Sequence, residues 1–264
     1  MDYHDIYGPS VPEKGWVPAP RYLLRRQRLL EMLDGVSPCS LLEVGCGPGV
    51  LMYELSLRGN DCTAVETSQQ ALDVARYVNN KRDNVVIYDD MCDDWVGKFD
   101  LVMACEVLEH IQDDYSALQS WSKLIKKDGR LLISVPCHMS KWTATDVWAG
   151  HYRRYEKNNL MALMNESGFE IEEFECYGFP LANIIEPFRA RMHARQLKQK
   201  NSIDGADRKE NNDASGVSRS TETTLYPLLC SWFGVMVMKT AYFLQDIFLG
   251  RDVGNGYIVR AKKK

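Results

Sequence analysis

With 264 residues the chain is long enough for one large α/β domain with insertions, or for a domain plus an appendage. Its 45% hydrophobic and 26% charged residues exclude a wholly disordered, collagen-like or coiled-coil chain. The 32 Lys and Arg against 36 Asp and Glu give a net charge of −4, with no basic surplus of the kind that general nucleic-acid binding needs, although a local basic patch stays open. Eight cysteines, at 39, 46, 62, 92, 105, 137, 176 and 230, include no CxxC pair, and the opening MDYHDIYGPS lacks the charged and apolar regions of a signal peptide. The expectation is a cytoplasmic protein with reduced thiols.

Residues 1–19, rich in Pro, Gly and aromatics, read as an extended N-terminal arm. RYLLRRQRLLEML then sets Tyr22, Leu29, Leu30 and Leu33 on one helical face, with Arg25, Arg26 and Arg28 expected outward. A strand and helix alternation follows: SLLEV (40–44), a helix from about 50 to 58, CTAVE (62–66), SQQALDVARYV (68–78), NVVIY (84–88), FDLVMACE (99–106), a helix over 115–127 and GRLLISVP (129–136). Such alternation means βαβ units and a parallel sheet. Ser68 stands where an N-cap belongs, and Lys127-Asp128-Gly129 reads as a helix stop. EKNNLMALMNESGF (156–169) predicts a helix ended by Gly168, and EIEEFECY (170–177) and GYIVRAKKK (256–264) predict two further strands. Between them lie 196–224, with no aromatic residue and an expected flexible loop, and the apolar segment 225–250, which is broken by Lys239 too soon for a convincing membrane span.

Leu42-Glu43-Val44-Gly45-Cys46-Gly47-Pro48-Gly49 follows a strand and opens a helix, the setting in which a glycine loop binds a nucleotide-like ligand. A dinucleotide fingerprint wants its third glycine where Val50 stands, which argues against NAD. Glu66, ending the second strand 21 residues after Gly45, can accept hydrogen bonds from both hydroxyls of a ribose; Asp89 and Asp90 end the third strand on the same edge.

LLEVGCGPG, Glu66, YDDM and FDLVMACEVLEH, in this order, resemble the class I S-adenosylmethionine-dependent methyltransferases over about residues 20–177 and the last strand. The resemblance implies a Rossmann-like, doubly wound α/β fold with a seven-stranded, mostly parallel sheet and an antiparallel last strand. It puts Glu43 near the methionine end of the cofactor, Gly45, Gly47 and Gly49 under it, Glu66 on its ribose, Asp90 and Met91 beside its adenine, and Cys105 and Glu106 near the sulfonium. A cationic cofactor suits a pocket rimmed by carboxylates without a Lys-bearing phosphate loop. The alternative is a plain tight turn beside a solvated acidic strand edge, which four features in the right order on the right strand ends disfavour.

Methyl transfer from a sulfonium is an in-line displacement, and a hydroxyl acceptor needs a base or a metal. Glu106-Val107-Leu108-Glu109-His110 offers two carboxylates and an imidazole at i, i+3 and i+4, and the chain later supplies SVPCH, Trp142, Asp146 and GHYRRY. The E-x-x-E-H element with a later His is similar to the ubiquinone-biosynthesis O-methyltransferases and the small-RNA 2′-O-methyltransferases. That resemblance implies a divalent cation, Mg²⁺ or a softer ion, held by Glu106, Glu109, His110 and His151. Without a metal, His151 or else His110 is the candidate general base, His151 being preferred. Arg153 and Arg154 are candidates for binding an anionic acceptor, or form a solvated basic face. SVPCH, W-x-x-x-D and GHYRRY also resemble the type 11 methyltransferases, which name no acceptor.

Domain boundaries follow: arm 1–19, methyltransferase core 20–177 and 256–264, and insertion 178–255. Leu228, Leu229, Trp232, Phe233, Met236, Phe243, Ile247 and Phe248, flanked by Lys239 and Arg251, suit a lid, an interfacial helix, or helices packed on the domain or a dimer partner. With Arg189, Arg191 and Arg195 they suggest a lipid-linked acceptor and peripheral contact with the inner face of the membrane. The leading expectation is O-methylation of a small-molecule or lipid- or glycan-linked acceptor. The alternatives are a metal-dependent RNA 2′-O-methyltransferase, against which the net charge counts, and a non-catalytic cofactor-binding protein. The oligomeric state is not fixed by the sequence.

Overall fold

The structure is a computed structural model that describes residues 1–201 and 220–264. After a small antiparallel hairpin, β1 (Asp2–His4) and β2 (Gly8–Ser10), come helix α1 (Pro20–Met32), β3 (Ser40–Val44), α2 (Val50–Leu57), β4 (Asp61–Val65), α3 (Gln69–Asn79), β5 (Val85–Tyr88), β6 (Phe99–Cys105), α4 (Asp114–Leu124), β7 (Ile125–Pro136), α5 (Ala144–Ala149), α6 (Lys157–Glu166) and β8 (Phe169–Tyr177). Helices α7 (Leu181–Asn201), α8 (Ser220–Leu229) and α9 (Trp232–Phe248) precede the last strand, β9 (Gly256–Lys263).

Strands β3 to β9 form one seven-stranded sheet in the order β5-β4-β3-β6-β7-β9-β8. The pairs from β5 to β7 are parallel, and β9 lies antiparallel between β7 and β8, as expected for this fold class. The alternation of side chains along each strand feeds both faces. Leu42, Val102, Ala104, Leu131 and Ile133 pack under α4 and α6 with Trp121, Leu160 and Met164, whereas Leu41, Leu101, Met103, Leu132 and Ile258 pack under α1, α2 and α9 with Leu24, Met52 and Met238. Because β3 pairs with β4 on one side and β6 on the other, the chain reverses direction there, and the carboxyl ends of β3 and β6 flank the crevice in which such sheets bind ligands.

Several local expectations differ from the structure. The arm is no free extension, since Tyr7, Val11, Trp16 and Val17 are buried and the Tyr7 hydroxyl donates to Leu229 O. In α1 the arginines turn inward: Arg26 makes a two-pronged ion pair with Glu54, and Arg28 meets Glu175. Buried cations are tolerated when a carboxylate receives them, so three arginines on a helix do not mark its wet side. Helix α4 stops at Leu124, and Lys127-Asp128-Gly129 lies within β7, where the positive φ falls on Asp128 (64°) rather than on Gly129. Ser68 holds the N-cap position of α3 without a side-chain cap bond, its backbone N–H donating to Glu66. Of the loop expected at 196–224, residues 196–201 extend α7 and 220–224 open α8; 202–219 lie outside the described residues.

Candidate active site

A cleft of about 340 Å³ opens at the crevice between β3 and β6. Its floor is the glycine loop with Glu43 and Glu66; one wall is α1, another is Cys105 to His110 together with α5 and His151, and α7 closes the far side. Gly45 and Cys46 donate their N–H groups to Val65 O, folding the loop back on β4. Both oxygens of Glu66 accept from backbone, Oε2 from Gly47 N–H at 2.7 Å and Oε1 from Ser68 N–H at 2.8 Å, which fixes the carboxylate and leaves lone pairs for a ribose. Gly47 has φ 54° and open space where a Cβ would stand, a cradle that ligand atoms can enter. Gly49 does not line the cleft: a Cβ there would meet Ala75 and Asn79 at 2.9 Å, so this glycine serves the packing of α2 on α3.

Glu43 is buried and its Oε2 has no hydrogen-bond partner. Burial pushes its carboxyl up to about 8, against the pull of Arg25. An unpaired buried carboxyl in a glycine cradle fits a ligand that brings positive charge. Cys105 lines the same floor, its thiol pushed up by burial. Asp90 and Met91 depart from expectation: both are exposed and outside the lining, because they follow the edge strand β5 and turn away into the short helix whose Trp95 plugs the core.

Glu106 lines the cleft but is taken. At φ 58° it leaves β6 toward α1, and its carboxylate receives Arg21 at 2.8 Å, the Tyr177 hydroxyl at 3.0 Å, Ser134 at 3.3 Å and the charge of Arg25 at 3.5 Å. Burial opposes its ionisation, but Arg21 and Arg25 outweigh it and hold the carboxyl at about 2. The remaining expected metal ligands do converge: Glu109, His110 and His151 offer ligand atoms within 4.8 Å of one another. Residues 108–110 form a 3-10 turn, which separates Glu109 and His110 from Glu106. Glu109 is fully buried, neither carboxylate oxygen has a hydrogen bond, and burial, aided by the charge of Glu106, pushes the carboxyl well above the usual range. His110 packs edge-on against His151 at 4.7 Å; burial, with His151 alongside, brings it down to about 3, so it is neutral.

His151 Nδ1 lies 2.9 Å from Asp146 Oδ1, and its Nε2 lies 3.9 Å from Glu109 Oε1. Asp146 also receives Arg154 on both oxygens, at 2.8 and 2.9 Å, and the Thr143 N–H of the α5 capping box. Burial works against this carboxylate, and the bonds from His151 and Arg154 more than compensate, holding it well below the usual range. An ionised Asp146 accepts a hydrogen bond from Nδ1–H, which leaves Nε2 as the acceptor nitrogen. Arg154 is thus spent inside the protein, with Asn255 as a further partner, and Arg153 binds Asp114 and Gln112 O. Neither lines the cleft, which removes them as acceptor ligands.

The cleft's basic groups lie elsewhere. Arg21 and Arg25 from α1 and Arg189 from α7 face it, with Glu222 from α8. Arg189 reaches Glu186 only at 4.0 Å, and Trp148 stacks on His193 with centroids 4.2 Å apart, tying α5 to α7. No spacing signal announces Arg21, whose partner Glu106 is 85 residues away, or the Trp148–His193 stack.

A family model for a methyltransferase domain matches residues 19–173, more than half of the chain. The ubiquinone biosynthesis O-methyltransferase of Alkalilimnicola ehrlichii is 32% identical over 116 residues, 42% of this chain and 47% of that protein, so the chain spans about half the length of that relative. The enzyme of the same name from Glaesserella parasuis is 28% identical over 185 residues, 61% of this chain and 78% of that one. Among solved structures, an S-adenosylmethionine-dependent methyltransferase from Mesorhizobium loti superposes with a TM-score of 0.55 at 14% identity, covering 93% of this chain and 98% of that one, a likeness of fold. The chain belongs to the class I S-adenosylmethionine-dependent methyltransferase family.

Proposed function

We propose that this chain binds S-adenosylmethionine on the glycine loop and methylates a hydroxyl oxygen of a small or lipid-linked acceptor, with His151 Nε2 taking the hydroxyl proton. The observation that carries this is His151 on the cleft wall, paired with the buried Asp146 behind it and facing a floor with the unpaired Glu43 and the fixed Glu66. When bound, the cofactor supplies a methyl group on a positively charged sulfur for in-line displacement. Glu66 would hold the ribose, Glu43 would answer the positive charge, and α7 would exclude water from the acceptor side. Calorimetric titration with S-adenosylmethionine and S-adenosylhomocysteine, followed by transfer of labelled methyl from the cofactor into a small-molecule and lipid extract, tests it. Binding without any transfer would make the chain a binding protein of this fold.

Glu109 with both oxygens unbonded favours a second reading, in which Glu109, His110 and His151 hold a divalent cation that lowers the acceptor's pKa. Asp146 would then orient a ligating imidazole. Transfer abolished by EDTA and restored by Mg²⁺ selects this reading; transfer indifferent to EDTA selects His151 as the base.

The Glu43 carboxyl gives a pH prediction. Below about pH 8 it is protonated in the empty cleft, and a cationic ligand favours its ionised form, so binding must release that proton. The affinity for S-adenosylmethionine is expected to rise by up to about tenfold per pH unit between pH 6 and 8 and then level off. Glu43→Gln should flatten this dependence; a steep dependence surviving in the variant would remove Glu43 from the site.

The acceptor's lipid character rests on α8 and α9. Trp232 is 78% exposed, with Leu228, Phe233, Phe243 and Ile247 also exposed, whereas Met238, Ala241 and Gln245 face the protein. No single helix among the described residues is long and apolar enough to cross a membrane, and α8 and α9 meet that test only together, as a pair bent by 91°; the exposed apolar face suits contact with a bilayer. Sedimentation with vesicles containing anionic lipid is expected for the chain and lost in Trp232→Asp, Phe233→Asp; equal sedimentation of the variant would refute the membrane reading.

A further inference from the structure

Away from the cleft, the topology assembles a second group of soft donors. Cys137 follows the end of β7, and Cys176 sits near the end of β8; the two strands flank β9 and bring both sulfurs beside the corner at Gly254 and Asn255. The sulfurs and a ring nitrogen of His138 lie within 4.8 Å of one another. Both cysteines are buried. His138 Nε2 is buried with no hydrogen-bond partner, and stands 3.3 Å from Asp252 Oδ1.

We infer that Cys137, Cys176 and His138 form a binding site for a zinc ion, with Asp252 beside the fourth position. The donor set selects the metal: two thiols and an imidazole suit a borderline-soft ion and exclude Mg²⁺, which prefers oxygen. Asp252 Oδ1 stands 3.3 Å from His138 Nε2 and accepts the Tyr257 hydroxyl at 2.7 Å.

The Cys137 thiol donates to Gly254 O at 3.4 Å and the Gly254 N–H donates to Cys176 Sγ at 3.1 Å, so both sulfurs are held at the same corner. On binding, the protons carried by the two thiols leave to solvent and two thiolates neutralise the dication. The ion would clamp the ends of β7 and β8 to the 249–255 segment. That segment carries Asn255, whose side chain holds the Arg154 that fixes Asp146, so the site supports the dyad from behind without touching the cleft.

The test uses the full chain, stripped of metal under a phosphine reductant and titrated with Co²⁺ and then Zn²⁺. One equivalent of Co²⁺ is expected to give the thiolate charge-transfer band and the visible bands of a tetrahedral site, and Zn²⁺ to bleach them. Zinc at a hundredfold excess over Kd should raise the unfolding midpoint by about 5–10 °C. The bands should disappear in Cys137→Ala, Cys176→Ala and survive His110→Ala, His151→Ala. Zinc-edge absorption of the wild-type chain, which needs no variant to fold, should show two sulfur neighbours near about 2.3 Å. No charge-transfer band, a band that persists without Cys137 and Cys176, or an absorption shell of nitrogen and oxygen alone would overturn the inference.

Discussion

Replacing His151 with alanine is expected to lower the rate of methyl transfer by about 10²–10⁴ while leaving the affinity for S-adenosylmethionine unchanged. The separation of effects follows from position. His151 stands on the wall, backed by the buried Asp146 and Glu109, whereas the glycine loop, Glu43 and Glu66 form the floor. Removing this proton acceptor affects the reacting oxygen and leaves the cofactor floor in place. Asp146→Asn should act in the same direction at intact binding, because an amide no longer demands the Nδ1 proton and the nitrogen facing the cleft loses its defined role. Parallel measurement of transfer rate and calorimetric affinity checks both. A His151→Ala chain that transfers at the wild-type rate would end the role of this residue, and one that loses cofactor binding would move it to the floor.

Replacing Arg154 with alanine is expected to destabilise the fold by about 3–5 kcal/mol, because it strands the Asp146 carboxylate in the interior. Both side chains of the pair are completely buried, and the guanidinium meets both carboxylate oxygens besides Asn255 Oδ1 and Cys137 O. Chemical denaturation measures it. The double variant Arg154→Ala, Asp146→Ala should recover part of the loss, since it removes the uncompensated charge. By contrast Arg130→Ala, which breaks the half-exposed pair with Glu172, should cost no more than about 1 kcal/mol. An Arg154 variant as stable as the Arg130 variant would show that the interior pair does not hold α5 to the end of β7.

What the sequence determined by itself is local. The seven strands are legible because β-branched and aliphatic runs separated by helical periods carry their own signature, and the glycine loop is legible because its sharp turn at the exit of β3 admits few residue types. Glu66 is legible too, since the end of the strand after the loop is a place fixed by the βαβ unit. What only the tertiary structure decided is which charged groups find each other and which strand ends face the crevice. Glu106, spaced as a metal ligand in E-x-x-E-H, is instead held by Arg21 and Arg25, more than eighty residues away in the chain, of which Arg25 reads as a solvent-facing helix position. Asp90 and Met91 end a strand on the correct edge of the sheet, yet β5 is its outermost member and they turn to solvent. Arg154 reads as an anion ligand and proves to be the inner partner of Asp146. The physical reason is common to all three. Periodicity records how each segment meets the core, but an ion pair depends on distance and burial between segments, and those exist only once the sheet and its helices have packed.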